Sequence, residues 1–219
     1  MLDFDLNDPV VLATGTGKKY FSASFSQLQN LLEQRRAIKY FDTAQLMDDG
    51  ELDAILTSAS QAPSAFNLQH WQVVHIKSAQ RRAEISALAY HQPQIQQAAA
   101  LLAIVMKKNV WQTPAHIAQA GGEKLQNHLQ RLYGDNPQLA RDEAMRSCAM
   151  FSMLVMLAAE AAGYRSCPMS GADFTAIGKC LGLDATQEIC MLITLGREAT
   201  HNAVNQQQRL PLTQFLYRI

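Results

Sequence analysis

Three cations fall within five residues in Arg35-Arg36-Ala37-Ile38-Lys39, between apolar neighbours and at the end of a helix-like stretch. The planar fork of an arginine can make two parallel charge-assisted hydrogen bonds to a phosphate, so the cluster suits a bound anion as well as it suits a solvated surface. A second segment, Ala62-Pro63-Ser64-Ala65-Phe66-Asn67-Leu68-Gln69-His70-Trp71, gathers Ser, Asn and Gln in a loop between a helix and an aromatic strand start. A third, Gly163 to Asp173, carries a Pro168-x-x-Gly171 loop whose backbone amides are free to donate. A planar ring system with acceptors along one edge, such as an isoalloxazine, can be held by amides of that kind.

The elements that must position these residues are legible as patterns. Ser26 with Gln29 reads as a capping box, followed by Leu28, Leu31 and Leu32 at helical spacing, which predicts a helix ending near Arg35-Arg36. Asp48 with Glu51 repeats the pattern, and Leu52, Ile55, Leu56 and Ala59 form a helical stripe that stops by Pro63. Strands are predicted at Trp71 to Ile76, Ala100 to Met106 and Glu188 to Leu195, with helices near Ala79 to Tyr90 and Phe174 to Leu181. The stretch from Ala140 to Gly163 is apolar nearly all round, predicting a covered helix, and Met145, Met150, Met153 and Met156 along it fit a core or a subunit interface. The order gives an α+β fold, helices on a modest, largely antiparallel sheet, with residues 1–25 as an N-terminal arm and 26–219 as a single domain.

Composition narrows the partners. With 19 basic and 19 acidic residues the formal charge is zero, which favours a small-molecule substrate over nucleic acid or a membrane surface. The start, Met1 to Pro9, holds three aspartates and no Lys or Arg, and Cys148 to Ala162 is too short to cross a bilayer, so a cytoplasmic protein is expected. Cys148, Cys167, Cys180 and Cys190 lack C-x-x-C spacing, and His75, His116, His128 and His201 lack metal-site spacing, so no metal is expected. Gly15-Thr16-Gly17-Lys18 fails as a phosphate loop, because Leu12 and Tyr20 stand where glycines are needed.

The three segments, in this order, resemble the nitroreductase family, with its Arg-Arg-Ser-x-Arg-x-Phe-like start, Ala-Pro-Ser-x-x-Asn-x-Gln-Pro-Trp loop and Gly-Tyr-x-x-x-Pro-x-x-Gly loop. The resemblance runs from about Ser26 to Pro211 and includes Arg209-Leu210-Pro211-Leu212. It implies a nitroreductase-like fold and a homodimer with FMN at the subunit interface and a long buried interface helix. Arg35 and Arg209 would then hold the phosphate, Arg36 and Ala37 the ribityl side, and Lys39 the pyrimidine edge, where it would stabilise the negative charge of the reduced ring. Pro63, Ser64, Ala65 and Asn67 would come from the opposite subunit, Pro168, Met169, Ser170 and Gly171 would face the N5 and O4 edge, and His91 would stand where relatives place an Asn.

The implied activity is NAD(P)H oxidoreduction. NADH or NADPH gives a hydride to flavin N5, and a nitroaromatic, quinone or similar electron-poor acceptor takes it in a ping-pong cycle that needs no side-chain nucleophile. Departures from the family pattern are Ala37 for Ser, Gln207 for a phosphate-binding Lys, His70 for Pro and Ser170 for Glu. They leave open another flavin task, such as dehalogenation, azole oxidation or flavin destruction, or a flavin-binding protein without turnover. Trp111, His116 and Tyr133, in the polar stretch Asn109 to Asn136, are the expected substrate contacts.

Overall fold

The computed structural model describes residues 10–14, 17–112, 122–200 and 208–219, the two N-terminal strands by backbone alone. Within the expected arm, β1 (Val10–Thr14) and β2 (Gly17–Phe21) form an antiparallel ribbon with Val10 opposite Phe21. Helix α1 (Ala23–Gln34) begins earlier than the Ser26 pattern predicts. Ser22 is the N-cap, its hydroxyl accepting from the Phe25 N–H at 3.3 Å, so Ser26 falls inside the helix. Two serines four apart offer the same capping chemistry, and the earlier one adds a further turn of backbone hydrogen bonds.

Helix α2 (Asp49–Ala59) starts at the predicted capping box: Asp48 accepts from the Glu51 N–H at 2.8 Å, and Glu51 accepts from the Asp48 N–H at 3.0 Å. Four strands, β3 (Trp71–His75), β4 (Ala100–Lys107), β5 (Arg165–Met169) and β6 (Gln187–Gly196), form one antiparallel sheet in the order β3-β4-β6-β5. The continuous apolar run of β4 is explained by cover on both faces. Leu102, Ile104 and Met106 meet α2 and α6 (Pro137–Ala161) through Ile55, Phe151 and Val155. Leu101, Ala103 and Val105 meet α3 (Ala79–Leu88) and α7 (Phe174–Cys180) through Ile85 and Ile177. The fold is α+β, as the pattern predicts.

β5 was not predicted, because Pro168 sits inside it. Proline has no N–H to donate and is confined to edge strands, and β5 is an edge of this sheet. Its outer side carries the cation cluster: Ala37 bridges Ser166, and the Ile38 N–H donates to the Ser166 carbonyl at 3.2 Å.

α6 is long and apolar enough to cross a bilayer, with a window of mean hydropathy 1.3, yet half of that window is buried inside the chain. Of its methionines, Met156 is buried, Met145 and Met153 pack on the core and Met150 is exposed. The helix stops by Gly163, whose φ of +79° suits glycine, and the Arg197 guanidinium donates to the Gly163 carbonyl while lying 4.1 Å over the Tyr164 ring. Trp111 and Tyr133 are 5% and 2% exposed and pack with Leu68, Leu129 and Ala140 under α5 (Gly122–Tyr133), and both also line a hollow of about 430 Å³ with Lys108 and Arg141.

Candidate functional site

The chain leaves α1 at Arg35, its C-cap, in extended conformation and runs along the outer edge of β5. Beyond Ala37 and Ile38 it is tied on further sides. The Phe41 N–H donates to the Gln97 side-chain oxygen at 3.4 Å, Asp42 N–H to the Arg197 carbonyl at 2.9 Å, and Ala199 N–H to the Tyr40 carbonyl at 3.2 Å. The cluster thus lies on a fixed backbone between the sheet edge and the segment following β6.

Charge is distributed unevenly along it. Arg36 reaches Glu198 at 3.9 Å, and Glu198 also meets Arg165, which pairs with the buried Glu160. Arg35 has no carboxylate partner among the described residues. Burial and the nearby Arg209 guanidinium both push its pKa below the usual arginine value. Two cations distant in sequence are thus within electrostatic reach of each other, an arrangement that an anion between them would relieve. Lys39 is exposed and acts on the Cys167 thiol, whose pKa burial raises and Lys39 opposes. Gln207 and His116 lie outside the described residues.

The loop after β5 meets the turn between α3 and α4 (Gln94–Gln97). Gly171 accepts from Gln92 and the Asp173 N–H donates to the Leu88 carbonyl, so Pro168, Met169, Ser170 and Gly171 are brought beside His91 and Gln92. Ser170, Gly171 and His91 are exposed, and Met169 is buried.

The Ala62 to Trp71 loop lies apart. Its Ser64 hydroxyl accepts from the Gln69 N–H at 2.9 Å, and Phe66 packs edge-on to His128 and Tyr133. No described contact joins Pro63, Ser64, Ala65 or Asn67 to Arg35 or Gly171, as is required if that loop serves another subunit. Among the described residues, the non-glycine positions with left-handed φ are Phe66, Asn67, Gln69, Tyr90 and His91, all in these two loops. Such backbone costs free energy and gathers where a fold holds side chains for a task. No sequence signal marks it, since Phe, Gln and Tyr do not favour that conformation.

His70 closes the loop and is 2% exposed, with Nδ1 unpartnered. Burial first, then Lys107, lowers its pKa to about 4, against 6.5 ordinarily. The unfolded chain therefore binds the extra proton first. Stability from the neutral ring is full above pH 6.5 and is lost as pH falls towards 4, by up to about 3 kcal/mol. His70→Asn should flatten the fall in urea midpoint between pH 7 and 4.5. An unchanged slope would mean that His70 is protonated in the fold.

Among the described residues no group of three His, Cys, Asp or Glu is placed to hold a metal. A hollow of about 590 Å³ is lined by Lys108, Arg141, Phe174 and Glu188 and shares no residue with this site.

Comparison with known proteins is consistent along most of the length. The family profile described as Nitroreductase family matches residues 32–197. The Bacillus subtilis protein YodC, provisionally named an NAD(P)H nitroreductase, is 32% identical over 193 residues, 84% of this chain and 95% of its own. The solved structure of YdfN from Bacillus subtilis superposes with a TM-score of 0.82 at 27% identity, covering 89% of this chain and 100% of that one. A structure from Exiguobacterium sibiricum, determined in complex with FMN, superposes with a TM-score of 0.75 at 24% identity over 87% of this chain and 96% of its own.

Proposed function

Because the chain belongs to the nitroreductase family, we propose that this oxidoreductase is an FMN-dependent NAD(P)H enzyme reducing nitroaromatics, quinones or similar electron-poor acceptors. What carries the proposal is the Arg35 to Lys39 segment held along the outer edge of β5, with Arg209 lowering the pKa of Arg35, beside the Pro168 to Gly171 loop that leaves the same strand. The residues present fit the cofactor. A doubly charged phosphate resolves the repulsion between the two guanidinium groups, and the exposed amides beside Pro168 can donate to ring acceptors.

When bound, FMN supplies the centre that takes a hydride from NADH or NADPH and passes it to the acceptor at the same place. Arg35 and Arg209 hold the phosphate, and the Arg36 and Ala37 backbone lies along the ribityl side. Lys39 supplies a fixed positive charge where negative charge develops. Pro168 to Gly171 and His91 line the ring. Ala37 brings no hydroxyl, which costs about 1 kcal/mol of hydrogen bonding to the cofactor.

The working form is a homodimer. Phe25, Leu28 and Leu32 on α1 and Met150 on α6 are exposed apolar side chains in the single chain, and α1 buries none of its residues. A second copy covers that face and brings the Pro63 to Asn67 loop to the first copy's cofactor. The four free thiols fit a reducing compartment such as the cytoplasm.

The test is anaerobic. Protein reconstituted with FMN should lose its flavin absorbance on addition of NADH or NADPH and regain it with a nitroarene or quinone. Reduction without reoxidation by any acceptor would point to a flavin protein without this turnover. Failure to bind FMN would end the proposal.

A further inference from the structure

The loop after β5 is pinned by side chains that no family motif quoted above contains. Gln92 Nε2 donates to the Gly171 carbonyl at 2.8 Å, and Gln92 Oε1 accepts from Gln94 Nε2 at 2.9 Å. Gln94 is 1% exposed, and its amide also lies 3.9 Å from Cys167 Sγ. The direction is fixed at the loop: the Gly171 carbonyl can only accept, so Gln92 must present Nε2 to it, which leaves Oε1 for Gln94, whose own buried Oε1 has no partner.

We infer that Gln92 is a positioning residue for the cofactor-facing loop, held in place by Gln94, so that the Gln94–Gln92–Gly171 chain sets where the loop amides point. The inference rests on the FMN proposal above. Peptide units are planar, so holding the Gly171 carbonyl also directs the Ala172 N–H, which closes a tight turn onto the Ser170 carbonyl at 3.0 Å. The Ser170 and Gly171 N–H groups make no hydrogen bond within the described chain, and both residues are exposed. Glycine offers the loop many conformations, so a bond from outside is needed to select one. Donors fixed in advance stabilise charge in a reacting ring better than donors that must reorganise.

Gln92→Met keeps side-chain length and removes both hydrogen bonds. In the apoprotein, amide hydrogen exchange at Ala172 and Asp173, the hydrogen-bonded amides of the loop, should rise at least ~tenfold, with β4 and β6 unchanged. In the FMN-loaded protein, flavin reduction at saturating NADH should slow at least ~tenfold, because small displacements of a positioned group carry costs of that order. The flavin midpoint potential should move to more negative values, while FMN affinity stays within about threefold because the phosphate arginines are untouched. Gln94→Met should act in the same direction. Wild-type exchange, rate and potential in Gln92→Met would overturn the positioning role alone. A parent protein that takes up no FMN would overturn the cofactor proposal and this role with it.

Discussion

Arg35→Met is expected to weaken FMN binding roughly 150-fold while leaving the apoprotein as stable as the parent, or slightly more so. Two charge-assisted hydrogen bonds to a phosphate contribute about 1.5 kcal/mol each, and 3 kcal/mol corresponds to that factor. In the apoprotein the same guanidinium is half-buried beside Arg209, and both burial and repulsion disfavour its charged form. Methionine keeps the packing of the stem and removes the charge. The two effects have opposite signs, which separates a ligand-binding arginine from a structural one. Arg209→Ala should lower FMN affinity in the same way, with little change in apoprotein melting, since Arg209 is exposed. Fluorescence titration with FMN and thermal unfolding of the apoprotein check both variants. Loss of stability with unchanged FMN affinity would make Arg35 a fold residue and remove it from the site.

That contrast was only partly legible in the sequence. The cation cluster and the Pro168 to Gly171 loop stand out as residues, but their adjacency depends on β5, which the sequence conceals. Arg165-Ser166-Cys167-Pro168-Met169 has no clean alternation and carries a proline, so it reads as loop. It becomes a strand only because the edge of the sheet leaves the proline no N–H to supply. Where one local rule decides, prediction and structure agree. Asp48 and Glu51 cap α2 as their spacing requires, and the apolar run at Ala100 is a strand covered on both faces.

Where two local rules compete, the structure chooses by the larger gain, as at Ser22 over Ser26. The glutamines of the α3–α4 turn were illegible for a different reason. Gln92 and Gln94 look like any polar turn, and what they bond is decided by the chain 79 and 73 residues further on. For Trp111 and Tyr133 the polar stretch around them conceals a packing task against Leu129 and Ala140, beside the hollow that both rings line.

The largest loss of stability is expected at Arg82, which no motif marks. Its guanidinium is more than half-buried between α3 and the entry to β4, and burial lowers its pKa. It donates from Nε to the Ile76 carbonyl at 3.0 Å, from Nη1 to Ala98 at 2.6 Å and Ile95 at 3.4 Å, and from Nη2 to Ala99 at 3.1 Å. Those carbonyls follow β3, close α4 and precede β4, so one side chain of α3 ties the ends of three elements, of which α4 carries Gln94. Arg82→Met fills much of the same space yet leaves buried acceptors without donors, each costing about 1–3 kcal/mol. Partial hydration recovers some of this, and a net loss of roughly 4 kcal/mol follows. Urea unfolding should show it as a lower midpoint at unchanged slope, which locates the loss in the folded state. Arg82→Lys should recover only a fraction, because an ammonium cannot span carbonyls arranged for a planar fork. If lysine restores full stability, the fork geometry is irrelevant and a single positive charge near these carbonyls is what the fold requires.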